Sequence, residues 1–145
     1  MNIIRLLNHL TCRKETDILT EKSKYWLDLA KEDIPVAQSL LDSDHLLYAG
    51  FITHLAVEKV LKAKIEGGGE SPPKIHNLIR LAEMGGVLSQ MNDEQIELLK
   101  TLNPLHLEAR YPSYKQQLSD MLTSDVCADM IKRAKEMIEW IEQQL

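Results

Sequence analysis

Aromatic residues are scarce: one Phe, two Trp and four Tyr make up 5% of the 145 residues. Leu, Ile, Met and Ala carry the apolar content instead, a mixture that favours helices over sheets. Only two cysteines are present, Cys12 and Cys127. They lie far apart and show no metal-ligand spacing, so neither a disulfide framework nor a cysteine metal centre is expected. A reduced, cytoplasmic setting is the simplest reading. There is no excess of positive charge, the formal net charge being −5. That argues against diffuse attraction to double-stranded DNA or to an anionic membrane. No apolar run approaches the length of a membrane span. The start, "MNIIRLLNHLTC", is too broken by Arg5, Asn8 and His9 to serve as a secretory core. Strand-like alternation, internal repeats, a phosphate-binding glycine loop and the HExxH and CxxC patterns are all missing from the sequence.

What is there is helical periodicity. Apolar residues are 44% of the chain and charged residues 27%, as in an ordinary globular domain with a real core. A short helix is expected from about Ile3 to Leu10, followed by the polar stretch "TCRKETD". A long helical pattern then covers about Glu21 to Leu41, with a kink or break expected at Pro35. The next covers about His45 to Glu66, and "GGGESPPK" ends it, since three glycines and two prolines cannot continue a helix. A short helix follows at about His76 to Met84. Asn92 with Gln95 reads as a capping box opening a helix of about Asp93 to Ala109. Tyr111, before a proline, should leave the helical region. The last helix starts near Thr123 or Ser124 and reaches the C-terminus. The expected fold is an all-α, up-and-down bundle of four main helices with short extra ones. Residues 1–23 form an N-terminal extension and residues 24–145 the bundle.

Two stretches carry possible chemistry. In "HLAVEKVLKAKI" (54–65), Glu58 and Lys62 are four apart in the favourable order for a helical ion pair. They read either as a solvated pair or, if Glu58 faces inward, as part of a buried site in which the carboxylate needs a cation. Arg110 is one candidate cation. In "LHLEARYPSY" (105–114), His106 and Arg110 are four apart and could share a helix face.

"YWLDLAKEDIPVAQSLLDS" (25–43), "YAGFITHLAVEKVLKA" (48–63), "KIHNLIRL" (74–81), "EARYP" (108–112) and "RAKEMIEWI" (133–141) occur in this order. Together they resemble the HEPN domain family over about residues 24–145. The family pattern has a second helix reading roughly A-x-F-x-x-Q-x-A-E-K-x-x-K-A, then His-x-Leu, then Ala-Arg-Tyr-Pro. The resemblance implies an up-and-down bundle, a homodimer, and a prokaryotic protein often paired with a small nucleotidyltransferase as toxin and antitoxin. It implies a nucleotide or RNA ligand and no cofactor. In the ribonuclease branch an R-x4–6-H motif activates the ribose 2′-hydroxyl without metal. This chain departs there: no arginine is followed by a histidine in that range, Arg5 and His9 giving only R-x3-H. His54-Leu55 is a second departure, standing where the family often has glutamines.

The positions that match the pattern are Glu58, Lys59, Lys62, His76, Arg110, Tyr111 and Pro112. Read as a ligand site, Arg110 is a bidentate phosphate clamp, Lys59 or Lys62 a second cation, Tyr111 a stacking surface and His76 a further contact. Read structurally, Arg110 and Glu58 pair to lock helices. No catalytic residue and no metal ligand is assigned. The expectation is a non-catalytic nucleotide-binding or interaction component. The enzyme alternative is a divergent ribonuclease that joins Arg110 to His76 or His106.

Overall fold

A computed structural model describes the backbone of residues 3–108 and 112–145, and the side chains of residues 21–106 and 117–145. Among the described residues six α-helices follow one another: α1 (Ile3–Asp42), α2 (Leu46–Gly67), α3 (Leu78–Met84), α4 (Asp93–Glu108), α5 (Pro112–Met121) and α6 (Ser124–Glu142). A 3-10 turn at Leu88–Gln90 joins α3 to α4. No strand occurs among the described residues, and no helix there is long and apolar enough to cross a membrane.

Four helices alternate in direction. α1 turns into α2 through Ser43–His45, where Asp44 takes a left-handed φ of 62°, a conformation that Asp tolerates better than most residues. The end of α2 lies level with Ser23, whose hydroxyl donates to the Ala63 carbonyl at 2.8 Å. α6 runs alongside α2: Cys127 sits by the Leu46 carbonyl, and a Cβ on Gly67 would meet Leu145. α4 runs opposite to α2, its Leu105 lying 3.0 Å from where a Cβ on Gly50 would be. A side chain at Gly50 would require the end of Leu105 to shift by a few tenths of an ångström, so glycine suits this contact between α2 and α4. α1, α2, α4 and α6 therefore form the expected up-and-down bundle, with α3 and α5 in the connections.

The core is aliphatic, as the composition requires. Leu61, Leu78, Leu81, Leu99, Leu102, Met137 and Ile141 are fully buried. The expected capping box is present: the Gln95 amide donates to Asn92 Oδ1 at 2.8 Å and the Asn92 amide to Gln95 Oε1 at 3.0 Å. Thr123 caps α6 by accepting from the Val126 amide.

Two expectations are corrected. "TCRKETD" does not interrupt the first helix, which is continuous over 40 residues. Arg, Lys and Glu are good helix formers even where no apolar stripe marks them. Pro35 lies inside α1, which continues through it, so no break falls there, and Pro104 lies inside α4, as the expected span of that helix placed it. A helix also begins at Pro112, where only a chain break was expected. Proline suits the first helical position, because its missing N–H would have had no helical partner there.

Candidate functional site

Most of the buried polar groups lie on α2. His54, Glu58, Lys62 and Glu66 recur every fourth residue and are all buried, 0 to 7% exposed. At that spacing they form one stripe along the helix. Glu58 is thus inward-facing, and the solvated-pair reading fails. A stripe of this kind must be satisfied from neighbouring elements, and three of them converge on it.

Glu58 uses both of its carboxylate oxygens. Oε2 accepts from Lys62 Nζ at 3.2 Å. Oε1 faces His76 Nδ1 at 2.8 Å. A carboxylate accepts only, so His76 carries its proton on Nδ1 and donates. Lys62 is 8% exposed, with its ammonium 5.6 Å from the Trp26 ring of α1. The aromatic face is favourable for a desolvated cation.

His76 lies in the loop before α3 and is half-exposed, at 49% of its side chain. Its position is fixed from two sides. Asn77 caps α3, accepting from the Arg80 amide at 3.2 Å. Asn103 of α4 accepts from the Leu78 amide at 2.8 Å, which ties the start of α3 to α4. One turn further along α4, His106 is buried and stacks on the His76 ring, with centroids 3.9 Å apart and planes at 19°.

His54 completes the cluster from below. Its ring is fully buried and 5.0 Å from that of His106. Nε2 donates to the His76 carbonyl at 3.1 Å, which leaves the lone pair on Nδ1. That nitrogen is buried with no hydrogen-bond partner among the described residues. Burial lowers the His54 pKa from 6.5 to about 4, against the raising effect of Glu58, with His106 and His76 contributing further small effects. His54 is therefore neutral at physiological pH. The Cys127 thiol has its pKa raised by burial, which makes it a packing group and not a nucleophile.

The sequence candidates divide. Glu58, Lys62 and His76 are brought together. Lys59 is not part of that group and instead pairs with Asp33 of α1 at 2.6 Å. Arg110 and Tyr111 lie outside the described residues, and so does the expected Arg110–Glu58 contact. The described partners of Glu58 are Lys62 and His76. Sequence reasoning set His54 aside as a departure from the family pattern and did not single out Asn77 or Asn103. The only local signal was the four-residue spacing from His54 to Glu58. The asparagine bridge joins residues 25 apart and leaves no periodic trace.

Chemically, the cluster holds a carboxylate-oriented imidazole facing solvent, a buried ammonium and two further imidazoles, at the end of α4 that leads into Arg110. It is a small all-α bundle with a polar site buried between helices, of the kind helical bundles build from facing side chains. The HEPN domain family model matches residues 23–144, and the chain belongs to that family. Among solved structures, the fold is similar to that of TT1696 from Thermus thermophilus. The identity is 19% and the TM-score 0.74, covering 86% of this chain and 98% of that one. No curated protein matches.

Proposed function

We propose that this chain is a non-catalytic binding and interaction component of a HEPN/nucleotidyltransferase pair of the toxin–antitoxin type, and that its ligand is the phosphate-bearing part of a nucleotide or RNA. One observation carries this reading: His76 is half-exposed, yet fixed by Glu58 through Nδ1. Its outer nitrogen, Nε2, then faces a ligand with the ring already oriented, which lowers the ordering cost of binding. Arg110, four residues after His106 on the chain, supplies the planar fork for the phosphate, and Tyr111 a stacking surface. Lys62 acts through Glu58, whose charge it offsets. Lys59, held by Asp33, takes no direct part. The functional unit is a homodimer, so light scattering should report twice the chain mass of 16.6 kDa.

The test is binding of a fluorescent nucleotide and of a short labelled single-stranded RNA. His76→Ala and Arg110→Ala should each weaken binding at least about tenfold, and His76→Ala should keep the parent far-ultraviolet circular dichroism. Full affinity in both variants would end this reading. A second reading has an observation of its own: a carboxylate 2.8 Å from a histidine is how a general base is oriented. It predicts RNA cleavage in the presence of a chelator that both variants abolish, and such cleavage would replace the binding reading with the ribonuclease one.

A further inference from the structure

We propose that Glu58, His76 and His106 form a binding site for a divalent transition-metal ion, with zinc as the best fit. One ligand atom from each of the three residues lies within 4.8 Å of the others. They come from three separate elements, α2, the loop before α3, and α4. Two imidazole nitrogens and one carboxylate oxygen are a zinc-type donor set, and a fourth position left open to solvent takes a water.

Two features of the cluster fit a cation. Lys62 occupies Glu58 Oε2 and leaves Oε1 directed at His76. The metal therefore replaces the one proton shared between Oε1 and Nδ1, and the buried ion pair can stay in place. Beside the site, one turn before Glu58, His54 holds a buried nitrogen lone pair with no hydrogen-bond partner among the described residues. Its Nε2 anchors the His76 backbone, so the loop that brings His76 is held to the same helix that brings Glu58. Three of the chain's five histidines meet in this one place.

The rings do not yet converge on a single point. His76 and His106 are stacked, whereas a metal lies in the plane of each imidazole that binds it. Metal–ligand bonds of about 2.0–2.2 Å place tetrahedral donors roughly 3.3 Å apart. The widest pair must close by about 1.5 Å on that basis. Turning the His76 ring out of the stack supplies this motion, and its half-exposed position leaves room for it. This inference is independent of the nucleotide reading, because the metal is measured with no nucleotide present.

The experiment titrates the chelator-treated, dialysed protein with cobalt(II), whose tetrahedral complexes absorb strongly in the visible, and then displaces the cobalt with zinc. The expected result is one cobalt per chain, an intense visible band that zinc abolishes, and loss of both in His76→Ala and in Glu58→Gln. His45→Ala, an exposed histidine at the far end of the α1–α2 turn, should behave as the parent. Because His76 is half-exposed, its alanine variant should keep the parent far-ultraviolet circular dichroism. Absence of a visible band at micromolar cobalt, or a band that persists in a folded His76→Ala protein, would overturn the proposal.

Discussion

Two ion pairs of nearly the same local design stand in contrast. Glu58 and Lys62 are four apart on α2, with exposures of 7% and 8%. Arg80 and Glu83 are three apart on α3, with exposures of 59% and 60%. Both have nitrogen–oxygen distances of 3.2 Å. Distance and spacing alone would rank them as equals. Burial separates them: the exposed pair is screened by water and contributes little, whereas the buried pair has lost its hydration and depends on each partner staying in place. The buried pair also has outside support, from His76 on one oxygen and Trp26 beside the ammonium. The same pattern of residues is a surface ornament in one helix and the centre of a site in the other.

The largest effect that follows is on Glu58. Glu58→Ala leaves Lys62 buried and unpaired and frees His76, and should cost about 3–5 kcal/mol in a urea denaturation. A loss below about 1 kcal/mol would show that water reaches Lys62 freely. The next effect is on pH dependence. His54 has its pKa lowered to about 4 in the folded chain and is expected near 6.5 unfolded. The unfolded state therefore binds the extra proton between these values. His54's contribution is fully present above pH 6.5 and is lost as pH falls towards 4, on the order of 3 kcal/mol over that window. The melting temperature should drop accordingly, and His54→Gln should flatten the slope. An identical slope in that variant would assign the acid sensitivity to other groups. A smaller effect is expected at Asn103. Asn103→Ala leaves the Leu78 amide without its side-chain acceptor and should cost about 1–3 kcal/mol. It should also loosen His76, visible as broadened imidazole resonances. Arg80→Ala should change stability by no more than about 0.5 kcal/mol.

The legibility of the chain follows the same division between local and non-local causes. The helices α2, α4 and α6 could be read because their apolar spacing and caps, such as Asn92–Gln95 and Thr123, act within one turn. The continuity of α1 was hidden, because a polar stretch of good helix formers looks like a linker when apolar spacing is the guide. α5 was missed because Pro112 signals both the end of one helix and the first position of another, and only the first meaning was taken. At the site, the inward-facing alternative for Glu58 was open from its neighbours Leu55 and Leu61. The pairing with Lys62 was legible from the four-residue spacing, but the histidine partner was not. Helix order pointed to Arg110, while the described cation on Glu58 is Lys62, one turn away, and the histidine is brought by a loop fastened through Asn77 and Asn103. Those contacts depend on how α3 packs on α4, which no spacing in the sequence encodes.

The central claim is that Glu58 organises a buried, interdependent cluster and is not a helical surface acid. A pair of double-mutant cycles measured by urea denaturation tests it most directly, one for Glu58 with Lys62 and one for Arg80 with Glu83. The account predicts a coupling of at least about 1.5 kcal/mol for the buried pair and under about 0.5 kcal/mol for the exposed one. Equal couplings in the two cycles would contradict it.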